Sequence, residues 1–197
     1  MGRQQLVARF LEVHITVIQH LVDARIFPSY QTAWRWMNRC AKKQNGWKPR
    51  YLGGVLLNHT GRTAKVYCNG WTPNSRTLLH EVMLTDELLP YCACDILRGP
   101  KVDPELRPDA TVFTNSPLHT VQTGELHYEM DNGTEHLEQI RERMEIVGQY
   151  IDPVVWVFQQ PERMKEVMRF STSNSYFKLY REGEFFDRSG EVVFLRP

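Results

Sequence analysis

The sequence predicts an α/β chain in two parts: a small helical part closed by a hairpin, then an α/β sandwich around a mixed central sheet. Three observations carry this. Residues 4–44 hold three successive helical patterns, and two short strand patterns follow them. From residue 78 the order reads helix, strand, strand, helix, strand, helix, the alternation of a layered α/β domain. Residues 153–159 (PVVWVFQ) are almost wholly apolar, as a strand covered on both faces is.

Composition sets the outer limits. The chain has 197 residues, a net charge of +1, 42% hydrophobic and 24% charged residues, which is ordinary for a globular protein and leaves any basic surface to local clustering. No apolar run reaches membrane-spanning length, and the N-terminus, interrupted by Arg9 and Glu12, lacks a signal-peptide core. A cytoplasmic protein without a membrane partner is expected. Cys92 and Cys94 form a C-x-C, but no second close pair completes a zinc pattern, so Cys40, Cys68, Cys92 and Cys94 read as buried reduced thiols.

Taken in order, residues 4–12 and 14–22 read as short amphipathic helices. Phe27-Pro28-Ser29 breaks the pattern, and Ser29 caps a third helix over residues 30–44, with Trp34, Met37 and Cys40 inward and Gln31, Arg35, Arg39, Lys42 and Lys43 outward. Strand patterns at 51–57 and 64–68 flank a turn-rich segment. Three helices and a hairpin are the plan of a winged helix-turn-helix, in which the third helix enters the major groove and the wing tracks the backbone. Cations cluster in both places: Arg35, Arg39, Lys42 and Lys43 on the helix, Lys48 and Arg50 after it, Arg62 and Lys65 in the wing. Double-stranded DNA is the expected partner. Solvated helix faces and protein-binding winged modules share this pattern.

Residues 70–74 read as a linker, giving a DNA-binding domain over 1–70 and an α/β domain over 75–197. Residues 78–91 form a helix pattern ended by Pro90. Residues 107–113 lead from a loop into a strand with Asp109 at its entry. In residues 125–131 Leu126, Tyr128 and Met130 alternate with Glu125, His127, Glu129 and Asp131, so the ionisable set shares one face. Glu129 and Asp131 stand about 7 Å apart by strand rise. Carboxylates that close repel each other, and a divalent cation relieves the repulsion; a solvated edge strand is the plainer reading. Asn132-Gly133 turns the chain, Thr134 caps a helix, and Leu137, Ile140, Met144, Val147 and Ile151 recur at helical spacing. Residues 153–159 then form a central strand beside the Glu129 strand, residues 162–169 a short helix, and residues 176–195 a hairpin or edge strands.

Pro108-Asp109, then Glu129-Met130-Asp131 on the next strand, then an amphipathic helix, resembles the PD-(D/E)XK nuclease superfamily. With the winged helix, His80…Asp86, RPDA at 107–110 and EMDNGTE at 129–135, the chain looks like the bacterial replication-relaxation family of plasmid and mobile-element proteins over residues 4–160. The resemblance implies Mg²⁺ or Mn²⁺ held by Asp109 and Glu129. It implies site-lining roles for His80 and Asp86, and a catalytic set of Asp109, Glu129, Asp131 and His80. Asp131 stands where the nucleases carry a lysine, so it supplies either a third ligand or a sign of lost catalysis; Arg141 or Arg143 is placed to replace the lysine's charge. Three functions follow as expectations. One is a metal-dependent endonuclease that nicks DNA in plasmid replication or relaxation. Another is a non-catalytic DNA-binding module that recruits a replication or mobilisation protein. The last is a transcription regulator whose nuclease-like domain serves as a scaffold or homodimerises.

Overall fold

The structure, a computed structural model, describes residues 1–42, 46–56, 63–102, 104–105, 107–114, 124–149 and 152–193. The first helix, α1 (Arg3–Val13), buries Val7, Phe10 and Leu11 at helical spacing. The next stretch departs from the expected helix over 14–22. Ile15, Thr16 and Val17 are β-branched, and they extend rather than coil. The result is β1 (Thr16–Val17), paired antiparallel with Tyr67 and Val66, and the helix α2 begins only after it (Ile18–Asp23). Helix α3 (Tyr30–Lys42) starts where Ser29 Oγ accepts the Thr32 N–H at 3.4 Å. It buries Ala33, Met37 and Cys40. Strands β2 (Arg50–Leu56) and β3 (Thr63–Cys68) complete a sheet of order β1-β3-β2. Their register slips between Tyr51 and Gly53, a bulge that Gly53 accommodates at φ +133°, where a side chain would be strained.

Helix α4 (Leu78–Leu88) closes this part of the molecule. Leu78 and Val82 share a core cluster with Ile15, Val17, Val55, Val66 and Cys68. The Thr85 hydroxyl donates to the Ile15 carbonyl at 2.9 Å. A single 3₁₀ turn over Leu89–Tyr91, with Pro90 inside it, ends the helix. The chain accordingly divides into two compact units, Met1–Cys92 and Ala93–Pro197. The boundary expected at residues 70–75 falls later because α4 supplies apolar side chains to the first sheet.

The second unit is built on a mixed sheet of order β10-β9-β8-β7-β6-β5-β4. Strands β4 (Asp95–Arg98), β5 (Ala110–Phe113) and β6 (Glu125–Asp131) run antiparallel. The four-residue β4 has too short a pattern to read from sequence. Helix α5 (Leu137–Val147) crosses to β7 (Val154–Phe158), and α6 (Pro161–Met168) crosses to β8 (Ser175–Leu179); β6, β7 and β8 are parallel. All five residues of β7 are buried, as the apolar run 153–159 requires of an inner strand. The tail differs from expectation. Strand β8 is paired on both sides, and only β9 (Phe185–Phe186) and β10 (Val192–Val193) form a short antiparallel edge. Ile140, Met144 and Val147 of α5 and Met164 and Val167 of α6 pack on Val154, Trp156, Phe158 and Phe177. The register Glu129↔Trp156↔Phe177 puts Glu129 on this same helix-covered face. Among the described residues, no helix is long and apolar enough to cross a membrane.

Candidate functional site

In the first unit the cations stand out from an apolar anchor. Helix α3 buries Ala33, Met37 and Cys40, and Arg35, Arg39 and Lys42 are exposed. Trp34, expected inward with Met37 and Cys40, is 46% exposed, because Ala33 holds the buried position of that turn. Trp36 takes the inner place instead, with its ring 5.5 Å from that of Phe27. Lys48, Arg50 and Lys65 are exposed on and beside the hairpin, and the Arg50 guanidinium donates to the Thr72 hydroxyl. Lys43 and Arg62 lie outside the described residues. Tyr30 and Tyr51, 51% and 57% exposed, add aromatic rings that the charge pattern alone did not single out.

His80 and Asp86 sit on α4 and so belong to the first unit, whereas the acids belong to the second. Asp86 is held by His20 Nε2 at 2.9 Å. Leu78 and Val82 of the same helix pack on the first sheet.

In the second unit β5 and β6 bring Asp109 and Glu129 together. The Asp109 N–H donates to the Tyr128 carbonyl at 2.9 Å, and Asp109 Oδ2 accepts the Met130 N–H at 2.8 Å. Glu129 is 1% exposed. The strand is thus no solvated edge; Leu126 through Asp131 are all buried. Burial pushes the Glu129 carboxyl well above the usual carboxylate range; nearby Asp109 adds to the rise, Arg143 opposes it and Glu135 adds again. Arg143 reaches in from α5. Its Nη2 lies 3.0 Å from Glu129 Oε2 and 3.2 Å from Glu135 Oε2, and its Cζ lies 5.6 Å from the centre of the Trp156 ring. Burial works against the Arg143 cation, but Glu129 and then Glu135 hold it protonated.

Asp131 takes a different partner. Arg163 of α6 forms an ion pair with it, and the Gly133 N–H donates to Asp131 Oδ1 at 2.8 Å. Arg163 also donates to the Glu135 carbonyl. The expected shared-ion triad therefore does not assemble: Asp109, Glu129 and Asp131 do not bring three ligand atoms within 4.8 Å of one another. Among the described residues the set that does is Glu125, His127 and Asp152. Glu129 and Asp131 each pair with an arginine carried by a helix, Arg143 of α5 and Arg163 of α6. Of the two arginines considered from sequence, Arg143 enters the cluster, and Arg141 instead lies over Phe170. Arg163 carried no sequence signal beyond lying on a helix that covers the sheet; Glu135 was marked only as the last residue of the EMDNGTE string.

A cleft of about 530 Å³ opens beside this cluster, lined by Pro104, Glu105, Arg107, Arg143 and Ile146. Arg107 has φ +50°, uncommon for a residue with a Cβ, and its Nε donates to the Pro104 carbonyl at 2.9 Å. Two guanidinium groups thus border one open cleft, an arrangement suited to an anion such as a phosphate. Cys40 and Cys68 are buried as expected, but Cys92 is exposed and Cys94 half-buried; none of the four forms a disulfide. Comparison with protein-family models, curated protein sequences and solved structures finds no match.

Proposed function

We propose that the chain binds double-stranded DNA through a winged helix-turn-helix formed by α1, α2, α3 and the β2–β3 hairpin, and that its second unit is a scaffold whose acidic strand is neutralised by arginines. The observation that carries the first part is the polar face of α3. Gln31, Arg35, Arg39 and Lys42 recur at helical spacing on an exposed face behind which Ala33, Met37 and Cys40 are buried. The element order, three helices and a three-stranded sheet of order β1-β3-β2, supports the winged plan. A side chain entering the major groove needs such a rigid, solvated stripe, and Lys48, Arg50 and Lys65 supply phosphate contacts. The resemblance to replication-relaxation proteins extends the proposal to plasmid or mobile-element DNA, with a replication or mobilisation protein, or a second copy, as partner. Fluorescence anisotropy with duplex DNA tests it. Affinity is expected to fall steeply with salt, because each phosphate contact releases a counterion. Absence of duplex binding at low salt, on random and selected sequences alike, overturns it.

A second reading, Mg²⁺- or Mn²⁺-dependent nicking at Asp109 and Glu129, is favoured by one observation: Arg143 joins buried Glu129 to the open cleft that Arg107 also lines. Against it stands the pairing of Glu129 and Asp131 with arginines, which a three-carboxylate ion site does not fit. Nicking of supercoiled plasmid that is lost in Glu129→Gln would favour this reading; its absence with duplex binding intact would favour the scaffold.

A further inference from the structure

Three side chains outside the arginine cluster converge at the other end of β6. Glu125 and His127 are two residues apart on one face of that strand. Asp152 lies two residues before Val154, which pairs with His127 in the parallel β6–β7 ladder. One ligand atom from each of the three lies within 4.8 Å of the other two. We propose that Glu125, His127 and Asp152 bind a divalent first-row transition-metal ion, of the Zn²⁺ or Mn²⁺ kind.

The scaffold is fixed before any ion arrives. The His127 N–H donates to the Pro153 carbonyl at 3.0 Å, and the Asp152 carbonyl accepts from Asn174 Nδ2 at 3.1 Å. The ring of His127 is also oriented. Its Nδ1 lies 3.0 Å from the Thr111 hydroxyl on β5, which holds the ring plane. Metal-bound histidines characteristically spend their second ring nitrogen on such a partner, which fixes tautomer and ring plane. His127 is buried, and Glu125 and Asp152 are half-exposed, so the set has a protein side and a solvent side by which an ion can enter.

The chemistry of the donors selects the ion. One imidazole nitrogen and two carboxylates neutralise a dication and leave positions for water. An all-oxygen set suits Mg²⁺ or Ca²⁺, whereas an imidazole shifts preference to the transition series, where Zn²⁺ outranks Mn²⁺. Bonds of about 2.0–2.2 Å place the donor atoms roughly 3–4 Å apart, inside the 4.8 Å within which the three already lie. The site uses neither Asp109 nor the arginine-paired acids, and it stands or falls apart from DNA binding.

The test is calorimetric titration of chelator-stripped full-length protein with Zn²⁺ and with Mn²⁺, read together with the melting temperature and with the visible absorption of a Co²⁺ substitute. One ion per chain is expected, tighter for Zn²⁺, with a melting temperature that rises with ion concentration by mass action. His127→Gln, Glu125→Gln and Asp152→Asn should each weaken binding at least about tenfold, and Thr111→Val about tenfold through the lost ring partner. Should His127→Gln fail to fold, the two half-exposed carboxylate variants carry the test. His136→Gln, at the exposed residue just before α5, should leave the titration unchanged. No saturable binding at millimolar ion, or binding that survives both carboxylate variants, overturns the proposal.

Discussion

Glu129 holds a carboxyl group in the interior beside one cation, and its proton is the most informative one in the molecule. In the folded chain burial raises its pKa above the unfolded value near 4.3. Between those two values the native state binds the extra proton, so the contribution to stability is full below the unfolded pKa and is lost as pH rises through the folded one. Glu129→Gln removes that dependence. In chelator-containing buffer, its stability relative to the parent should improve as pH rises from the unfolded value toward the raised folded one in urea titrations, by about 1.4 kcal/mol for each tenfold change in proton affinity abolished. A difference that stays flat with pH would contradict the assignment. Arg143→Ala should act in the opposite sense at neutral pH. It leaves Glu129 buried beside Asp109 with no cation, which costs on the order of 3–5 kcal/mol unless the acid protonates. The double variant Glu129→Gln/Arg143→Ala should recover part of the loss, measurable as a coupling in a double-mutant cycle. The acids themselves were legible in the sequence by their two-residue spacing. Their neutralising partners were not, because Arg143 and Arg163 reach them only through the packing of α5 and α6 on the sheet.

At the scale of elements, β7 was the most legible. Five consecutive apolar residues have no polar face to leave in water, and an inner position follows. Trp156→Ala should cost about 3–5 kcal/mol in chemical denaturation, since the indole packs among α5 and α6 side chains and beneath Arg143. Helix α3 was equally legible by period: Met37 and Cys40 are buried and Arg35, Arg39 and Lys42 exposed as their spacing requires, and Trp34 alone yields its inward place, to Ala33 one residue earlier. That exposed face bears on DNA. Arg35→Ala with Arg39→Ala should narrow the affinity gap between specific and random duplexes. Lys65→Ala should weaken both alike and lower the salt slope by about one. Helix 14–22 failed as an expectation at its first turn, where Ile15-Thr16-Val17 found a strand partner in β3 that no local pattern announces.

The whole molecule divides later than its composition suggests. A glycine- and proline-bearing stretch at 70–74 has the look of a linker, but the sheet before it lacks an apolar cover without α4. A fragment of residues 1–92 should therefore fold with a cooperative thermal transition and retain duplex binding. A fragment of residues 1–70, which lacks Leu78 and Val82, should melt lower or without cooperativity by circular dichroism. The mixed order of the second sheet was foreseen only in its middle, where apolar strands alternate with periodic helices; its short ends carry too few residues for a pattern. The bulge at Gly53 has a colloidal consequence. Strand β2 is the outer strand of its sheet, with backbone groups open to any extended chain that approaches. The extra residue at the bulge twists that border, so a neighbouring copy cannot lie along its length. A side chain at position 53 that disfavours φ +133° would flatten the border and trade monodisperse solutions for aggregates that grow with concentration.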